Sequence, residues 1–446
     1  MKTFRKAAFM TLGCKVNQYE TDAMEELLAG AGYEIVDFRE EADVYIVNTC
    51  SVTNMADRKS RQMINRARKM NPDALVAAAG CYVQTAADEL QKKGMADILI
   101  GNNRKKDIVQ ILEKWFSERE GISEVPDISR EQCYEELKIH KTDGHTRAYV
   151  KIQDGCNQFC SYCIIPYVRG RIRSREPEDV VKEIRELAAA GYKEIVLTGI
   201  HLSSYGKDLT DHTGLLEIIR LINEIEGIER IRLGSLEPRI ITEDFVKELV
   251  SCRKLCPHFH LSLQSGCDET LTRMNRHYST ADYENAVGIL RSFYDDPALT
   301  TDVIAGFVGE TEEEFDKTYA FLLKIRLYEM HIFKYSVRQG TRAAKMTGHL
   351  PEEIKTLRSA RLLELARNLK REYEEKLIGT FQEILLEDML EIDGVSYMQG
   401  YTSRYVRIAV KCDEKNTIIG QNKLVLVKVE DFLNENLLFG KVSIEF

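Results

Sequence analysis

Residues 154–166 read DGCNQFCSYCIIP, so Cys156, Cys160 and Cys163 follow a C-x3-C-x2-C spacing directly after a strand-like run. Thiolates this close together can share one metal centre, which constrains the surrounding fold more than any other feature of the chain. Zinc in a structural site closes its tetrahedron with four protein ligands, whereas an iron–sulfur cube held by three cysteines keeps one iron open. The absent fourth cysteine favours the cube. Two plainer readings stand beside it: a zinc site completed by His140 or His145, and buried thiols that simply pack.

With 446 residues, 44% apolar and 30% charged, the chain is expected to be globular, with two to four domains. The apolar stretch at 7–12 is too short for a signal-peptide core, and no apolar run approaches ~20 residues, so the expectation is a cytoplasmic protein with no membrane partner. Eleven cysteines in a reducing compartment are not expected to form disulfides. Six are assigned to metal here, and Cys133, Cys252, Cys256, Cys267 and Cys412 are left over; Cys252 and Cys256 have the spacing of one helix face. The net charge of −9 argues against indiscriminate nucleic-acid binding but allows local basic patches.

The first 125 residues alternate strands (7–12, 44–47, 75–79, 98–100) with helices (20–31, 55–70, 86–93), a doubly wound pattern. The first three strands run into Cys14, Cys50 and Cys81. In an open parallel sheet the carboxyl ends of the strands share one edge, where ligands sit, so these cysteines are expected to converge on a second cluster. Gly13 and Gly80 allow close backbone approach there. The helix after Cys50 carries Arg58, Lys59, Arg61, Arg66, Arg68 and Lys69, with no acid between 58 and 69. A solvated face and a phosphate-contacting face account for it equally well.

A linker at 126–144 leads to a segment at 145–376 with six strand-like runs: 147–153, 194–198, 230–234, 259–263, 301–305 and 331–335. A closed (β/α)8 barrel needs two more. Three cysteines in this spacing after the first strand of a βα series resemble the radical S-adenosylmethionine (SAM) enzymes. The resemblance implies a partial (β/α)6 barrel and a 4Fe–4S cluster on Cys156, Cys160 and Cys163 whose open iron chelates SAM. One electron, from a donor such as flavodoxin or ferredoxin, then cleaves SAM to methionine and a 5′-deoxyadenosyl radical; the cofactor does the hard chemistry and the protein aims it. Candidate SAM contacts lie at strand ends: Thr198 and Gly199, Ser235 and Glu237, Gln264, and Asp302, Ile304 and Gly306. Each alone also fits a capping or turn role. Arg169, Arg171, Arg173 and Arg175, just beyond the cluster loop, suit either an anionic substrate or local ion pairs.

A charged helix is expected over 351–376, and 377–446 hold five short strands, 381–386, 395–398, 406–410, 424–429 and 440–444, a small antiparallel β-barrel. It resembles the TRAM domain, an RNA-binding module. With 11 acids against 7 bases in this segment, any RNA contact would be local, through Arg404, Tyr405 and Arg407. The three segments together, with TLGCKVNQYET at 11–21, resemble the methylthiotransferase family over nearly the whole chain, nearest to its N6-threonylcarbamoyladenosine (t6A) branch. Val308 stands where that family usually has proline, and Cys267 where it often has serine.

The resemblance implies a transferase in tRNA processing that adds a methylthio group to C2 of t6A at position 37, in the tRNA anticodon stem-loop. It implies two 4Fe–4S clusters, one SAM methylating sulfur held at Cys14, Cys50 and Cys81, and a second SAM supplying the radical. An aromatic C–H with no leaving group or acidity gives acid–base catalysis little to work on. The isopentenyladenosine tRNA and ribosomal-protein branches are alternatives, as is a non-enzymatic iron–sulfur RNA-binding protein, which leaves the SAM-like strand ends unexplained. Reconstituted protein is expected to hold about eight irons if both clusters are cubes. An iron assay that finds about four in the unaltered chain would remove one site.

Overall fold

Strands buried on both faces read as continuous apolar runs, and the amino-terminal sheet follows that rule. Its strands β1 (Lys6–Thr11), β2 (Glu34–Val36), β3 (Val44–Thr49), β4 (Leu75–Gly80), β5 (Ile98–Ile100) and β6 (Ile122–Glu124) are all parallel, in the order β2-β1-β3-β4-β5-β6. Helices α1 (Lys15–Gly30), α2 (Asn54–Met70), α3 (Cys81–Lys92) and α4 (Ile108–Glu118) connect them. Alternate residues feed opposite cores: Tyr45 and Val47 pack with Ile64 and Ala67, Val44 and Ile46 with Met24 and Leu112. The strand order reverses between β1 and β3, which opens a crevice beyond their carboxyl ends. β2 and β6, three residues each, are too short to show a pattern in sequence. α1 starts at Lys15, earlier than expected, with Cys14 as its extended N-cap; α3 starts at Cys81 and is kinked at Ala86, where the sequence pattern places the start. The computed structural model describes residues 5–140, 146–412 and 420–445.

The central segment runs β7 (Arg147–Asp154), α5 (Ile165–Val168), β8 (Arg173–Ser174), α6 (Pro177–Ala189), β9 (Glu194–Gly199), α7 (Leu215–Asn223), β10 (Arg230–Leu233), α8 (Glu243–Ser251) and β11 (His258–His260). It continues through α9 (Asp268–Arg273), α10 (Thr280–Phe293), β12 (Ala298–Ala305), α11 (Glu312–Ile325), β13 (Glu329–Lys334) and α12 (Glu352–Glu375). Parallel trios β10-β9-β7 and β11-β12-β13 are joined by bridges Ile231–Leu255 and Leu236–Leu261, giving six parallel strands in a partial barrel. Leu299, Val303 and Ala305 face the surrounding helices, so Thr300, Asp302 and Ile304 face the concave side.

Strands β14 (Phe381–Ile392), β15 (Val395–Thr402), β16 (Arg407–Lys411), β17 (Leu424–Asn434) and β18 (Leu437–Glu445) close a small barrel, antiparallel except for the β16–β18 pair. Its Tyr405 ring stacks on Tyr401 at 4.6 Å, lies 5.1 Å from the His258 ring, and has the Arg147 and Arg232 guanidinium groups over it. Arg404 donates to the Asp295 carbonyl oxygen at 2.7 Å. Arg404 and Tyr405, expected at an RNA surface, dock this barrel on the central one instead. Residues 141–144 of the expected linker, and 413–419 within the last segment, lie outside the described residues; the rest of the linker buries Leu137 and Ile139 against Tyr19.

A buried ionic cluster joins the first two sheets. Glu20 contacts Lys105 at 2.8 Å, Lys151 at 2.9 Å and Arg169; Asp154 contacts Lys151 at 3.0 Å and Arg169 at 3.2 Å. Both carboxyls are depressed, since these cations overcome the burial that would raise them. Arg173 is fully buried near Asp154, and Arg175 is buried and paired with Glu183. The arginine run after the cluster loop is therefore structural, with only Arg171 exposed.

Glu20→Gln leaves cations buried without their partner and is expected to lower stability by about 3–5 kcal/mol in chemical denaturation. Removing the exposed Glu89–Lys93 pair should leave the transition in place. Acid is expected to loosen the docking of the carboxyl-terminal barrel. Burial first, then Arg232 and Lys15, hold His258 well below the ordinary imidazole value, while the unfolded chain takes up that proton below about pH 6.5. The contribution is complete above that pH and lost as pH falls; a stability–pH slope unchanged in His258→Gln would disprove it.

Candidate functional site

Cys14 follows β1, Cys50 follows β3 and Cys81 opens α3 after β4, so all three stand at one sheet edge beside the crevice. They are close enough to act on one another electrostatically. The loops are drawn together by Asn17, whose amide donates to Leu12 O at 2.7 Å and Thr49 O at 3.0 Å. Gly13 has φ +105°, and a Cβ there would lie 2.9 Å from the Cys50 sulfur, so glycine is required for that approach. Cys14 and Cys81 stand at helix N-termini, where the dipole favours thiolate.

The second set is equally anchored. Gly155 has φ +70°, and a Cβ there would meet Arg171 O at 1.7 Å. The Cys156 N–H donates to Gly170 O, that of Ser161 to Met274 O, and the Asn275 amide to Phe159 O. Cys156, Cys160 and Cys163 are likewise electrostatic neighbours. One packing contact links the neighbourhoods of the two sets: Cys81 clusters with Ile164 and Val168, which follow Cys163 in the chain. Arg338, beyond β13, clamps the loop after Cys50 through Ser51, Asn54 and Asp57, each at 2.7 Å.

Both sets fit iron–sulfur clusters. All six thiols are free of disulfides, and burial pushes Cys50 and Cys156 up to about 11, so the thiolates that bind metal need added positive charge nearby. Each set has a guanidinium on one sulfur: Nε of the buried Arg169 donates to Cys81 at 3.3 Å, and the half-buried Arg276 donates to Cys160 at 3.2 Å. Among the described residues, the group of three metal-capable side chains whose ligand atoms all lie within 4.8 Å of one another is His260, Asp302 and His331, not either thiol set. A single ion gathers its ligands around one point, whereas a cube spaces them around its corners. His140 is held by Glu26, and His145 lies outside the described residues. α8 ends at Ser251, so Cys252 and Cys256 do not share a helix face.

Strand-end residues divide by surroundings. Glu237 approaches Gln158 of the cluster loop at 3.3 Å and His201 at 3.3 Å; burial would raise its carboxyl, but His201, Arg276 and Arg239 hold it below the usual range. Thr198 is buried, and Gly199 lies flat against Gln153, whose side chain accepts from the His201 N–H. Gln264, with φ +70°, exchanges backbone hydrogen bonds with Asp302 and Ile304. Ser235 is exposed. Gly306 is explained by packing, because a Cβ there would lie 2.6 Å from Lys355. Asp302 sits on the concave face beside His260 at 3.4 Å. Sequence reasoning missed Arg276 and Arg338, which stand far from any motif.

A partial parallel barrel with three cysteines after its first strand defines the radical SAM class, and residues 150–322 match the radical SAM superfamily. Residues 6–101 match a family described as uncharacterized protein family UPF0004. The threonylcarbamoyladenosine tRNA methylthiotransferase MtaB of Bacillus subtilis is 42% identical over 95% of this chain and 93% of its own. The tRNA-2-methylthio-N(6)-dimethylallyladenosine synthase of Acetivibrio thermocellus is 38% identical over 87% and 82%. The chain belongs to the radical SAM methylthiotransferase family. The solved structure of the radical SAM methyltransferase TsrM from Kitasatospora setae shares the fold, with TM-score 0.56, 17% identity, and coverage of 74% of this chain and 75% of that one.

Arg276→Met should keep iron at Cys156, Cys160 and Cys163 but make that cluster harder to reduce, by about 60 mV for each 1.4 kcal/mol of charge stabilisation lost. A redox titration followed by electron paramagnetic resonance measures it; an unchanged potential would make Arg276 a packing residue.

Proposed function

We propose that the chain methylthiolates C2 of t6A at position 37 in the anticodon stem-loop of tRNA. The carrying observation is the contact of Cys81 with Ile164 and Val168, which supports a reading in which a sulfur-bearing site lies close to a radical-generating one. In this reading residues 1–125 form the methylthiotransferase domain, 126–144 a linker, 145–376 the radical SAM domain and 377–446 a TRAM-like domain. When bound, the cluster on Cys156, Cys160 and Cys163 supplies the electron that cleaves SAM. Cys14, Cys50 and Cys81 hold the second cluster, and Arg169 balances the charge of its thiolates. Thr198, Gly199, Ser235, Glu237, Gln264, Asp302 and Ile304 line the SAM position, with Gly306 shaping the strand end. Reduction falls to a flavodoxin or ferredoxin, and the setting is the cytoplasm; among the described residues no helix is long and apolar enough to cross a membrane.

The dimethylallyladenosine reading is weaker. Thr300, His260, Asp302 and His331 give the concave barrel face a polar layer, with the imidazoles stacked at 5.9 Å. Such groups suit the carbamoyl and carboxylate of a threonylcarbamoyl substituent, whereas a hydrocarbon substituent would exclude water from them and leave them only one another as partners.

Cells lacking the protein should yield tRNA with unmodified t6A and intact methylthio-isopentenyladenosine. The converse, by mass spectrometry of digested tRNA, would reverse the branch. In vitro, the Cys14, Cys50 and Cys81 triple alanine variant should release 5′-deoxyadenosine from SAM yet give no methylthiolated nucleoside, and the Cys156, Cys160 and Cys163 variant should release none. Product from the first variant would refute its sulfur role.

A further inference from the structure

Of the basic residues that the sequence singles out, the fold consumes those after the cluster loop and Arg404. Arg169, Arg173 and Arg175 are buried, and Arg404 is spent on docking the carboxyl-terminal barrel. α2 is different. Of its basic residues, Arg68 pairs with Asp97 and Arg61 donates to the Tyr82 hydroxyl. Arg58, Lys59, Arg66 and Lys69 are exposed and make no ion pair or hydrogen bond with the described residues. The one acid of the helix, Asp57, is held by Arg338 at 2.7 Å.

Their spacing builds a track. Arg58, Gln62, Asn65, Arg66 and Lys69 recur at helical intervals along one face, opposite the buried Ser60, Met63, Ile64 and Ala67. The stripe extends about 16 Å and offers cations and amides with no carboxylate. Like charges at Arg58 and Arg61, and at Arg66 and Lys69, repel along the helix, and the helix dipole offsets this only in the last turn. On a chain of net charge −9, such a concentration is not background. The track also has an origin. α2 starts four residues beyond Cys50, and Val52 and Met55 at its start are 52% and 67% exposed, apolar surface beside the cysteine set.

We propose that the exposed face of α2 is a phosphate-binding track for the tRNA backbone, running outward from the nucleotide held at the Cys50 end. This rests on tRNA being the substrate. It makes the amino-terminal domain, and not the acidic carboxyl-terminal barrel, the main electrostatic holder of the RNA. Polyanion contacts of this kind are read directly from salt dependence, because each phosphate neutralised releases counterions.

The test compares the holoenzyme, an Arg58→Gln, Arg66→Gln, Lys69→Gln variant, and a control with the same charge change on exposed outer-helix residues, Lys182→Gln, Arg185→Gln, Lys247→Gln. Binding of t6A-containing tRNA is measured from 50 to 300 mM salt. The track predicts that the α2 variant binds at least tenfold more weakly and that its log K against log salt slope is shallower by about 2–3, with the control near wild type. Iron content and melting temperature show that the variants are intact. Equal slopes for the α2 variant and the wild type, or equal loss in the control, would overturn the track while leaving the substrate reading in place. A wild-type protein that binds this tRNA no better than heparin would overturn both.

Discussion

The molecule depends on a set of charges removed from water. Glu20 and Asp154 are buried among Lys105, Lys151, Arg169 and Arg173, on elements drawn from two domains. Desolvating so many ions is unfavourable unless each finds its partners, so the cluster tolerates only one relative placement of the two sheets. Cations outnumber these two carboxylates. Glu135, close to Lys151, offsets one, and the remainder lies where Arg169 reaches the Cys81 sulfur. The interaction that joins the domains thereby also prepares one cysteine set for anionic charge.

Both cysteine sets follow the same construction. In each, glycine with positive φ brings two loops closer than any side chain permits, hydrogen bonds to backbone carbonyls tie the loops down, and one guanidinium faces one sulfur. Burial alone would keep the thiols protonated. The fixed cations and the metal together favour the thiolates, and the surrounding apolar packing of Ile164 and Val168 strengthens those charges by excluding water.

The two cysteine sets were legible as candidates because a metal site asks for a residue type at a fixed spacing or at a strand end, and both survive as local pattern. The six barrel strands were legible from apolar or alternating runs set between helices; β11 itself spans only three residues but opens onto the longer alternating run 259–263. β2 and β6 were not, since three residues carry no period. The roles of the arginines were illegible: Arg169, Arg173 and Arg175 look like Arg58 and Arg66 in sequence, yet the first three are buried and the last two exposed. Charge composition records that a cation exists, not which carboxylate folds against it.

By itself the sequence determined the two cysteine sets, the three-part architecture and the radical SAM class, because these rest on spacing and periodicity that a single chain displays. Only the tertiary structure decided which basic surface stays free, that Arg404 and Tyr405 serve docking, that Gly306 yields to Lys355, and that Arg276 stands on Cys160. Those outcomes depend on contacts between residues far apart in sequence, and no local pattern encodes which distant partner arrives.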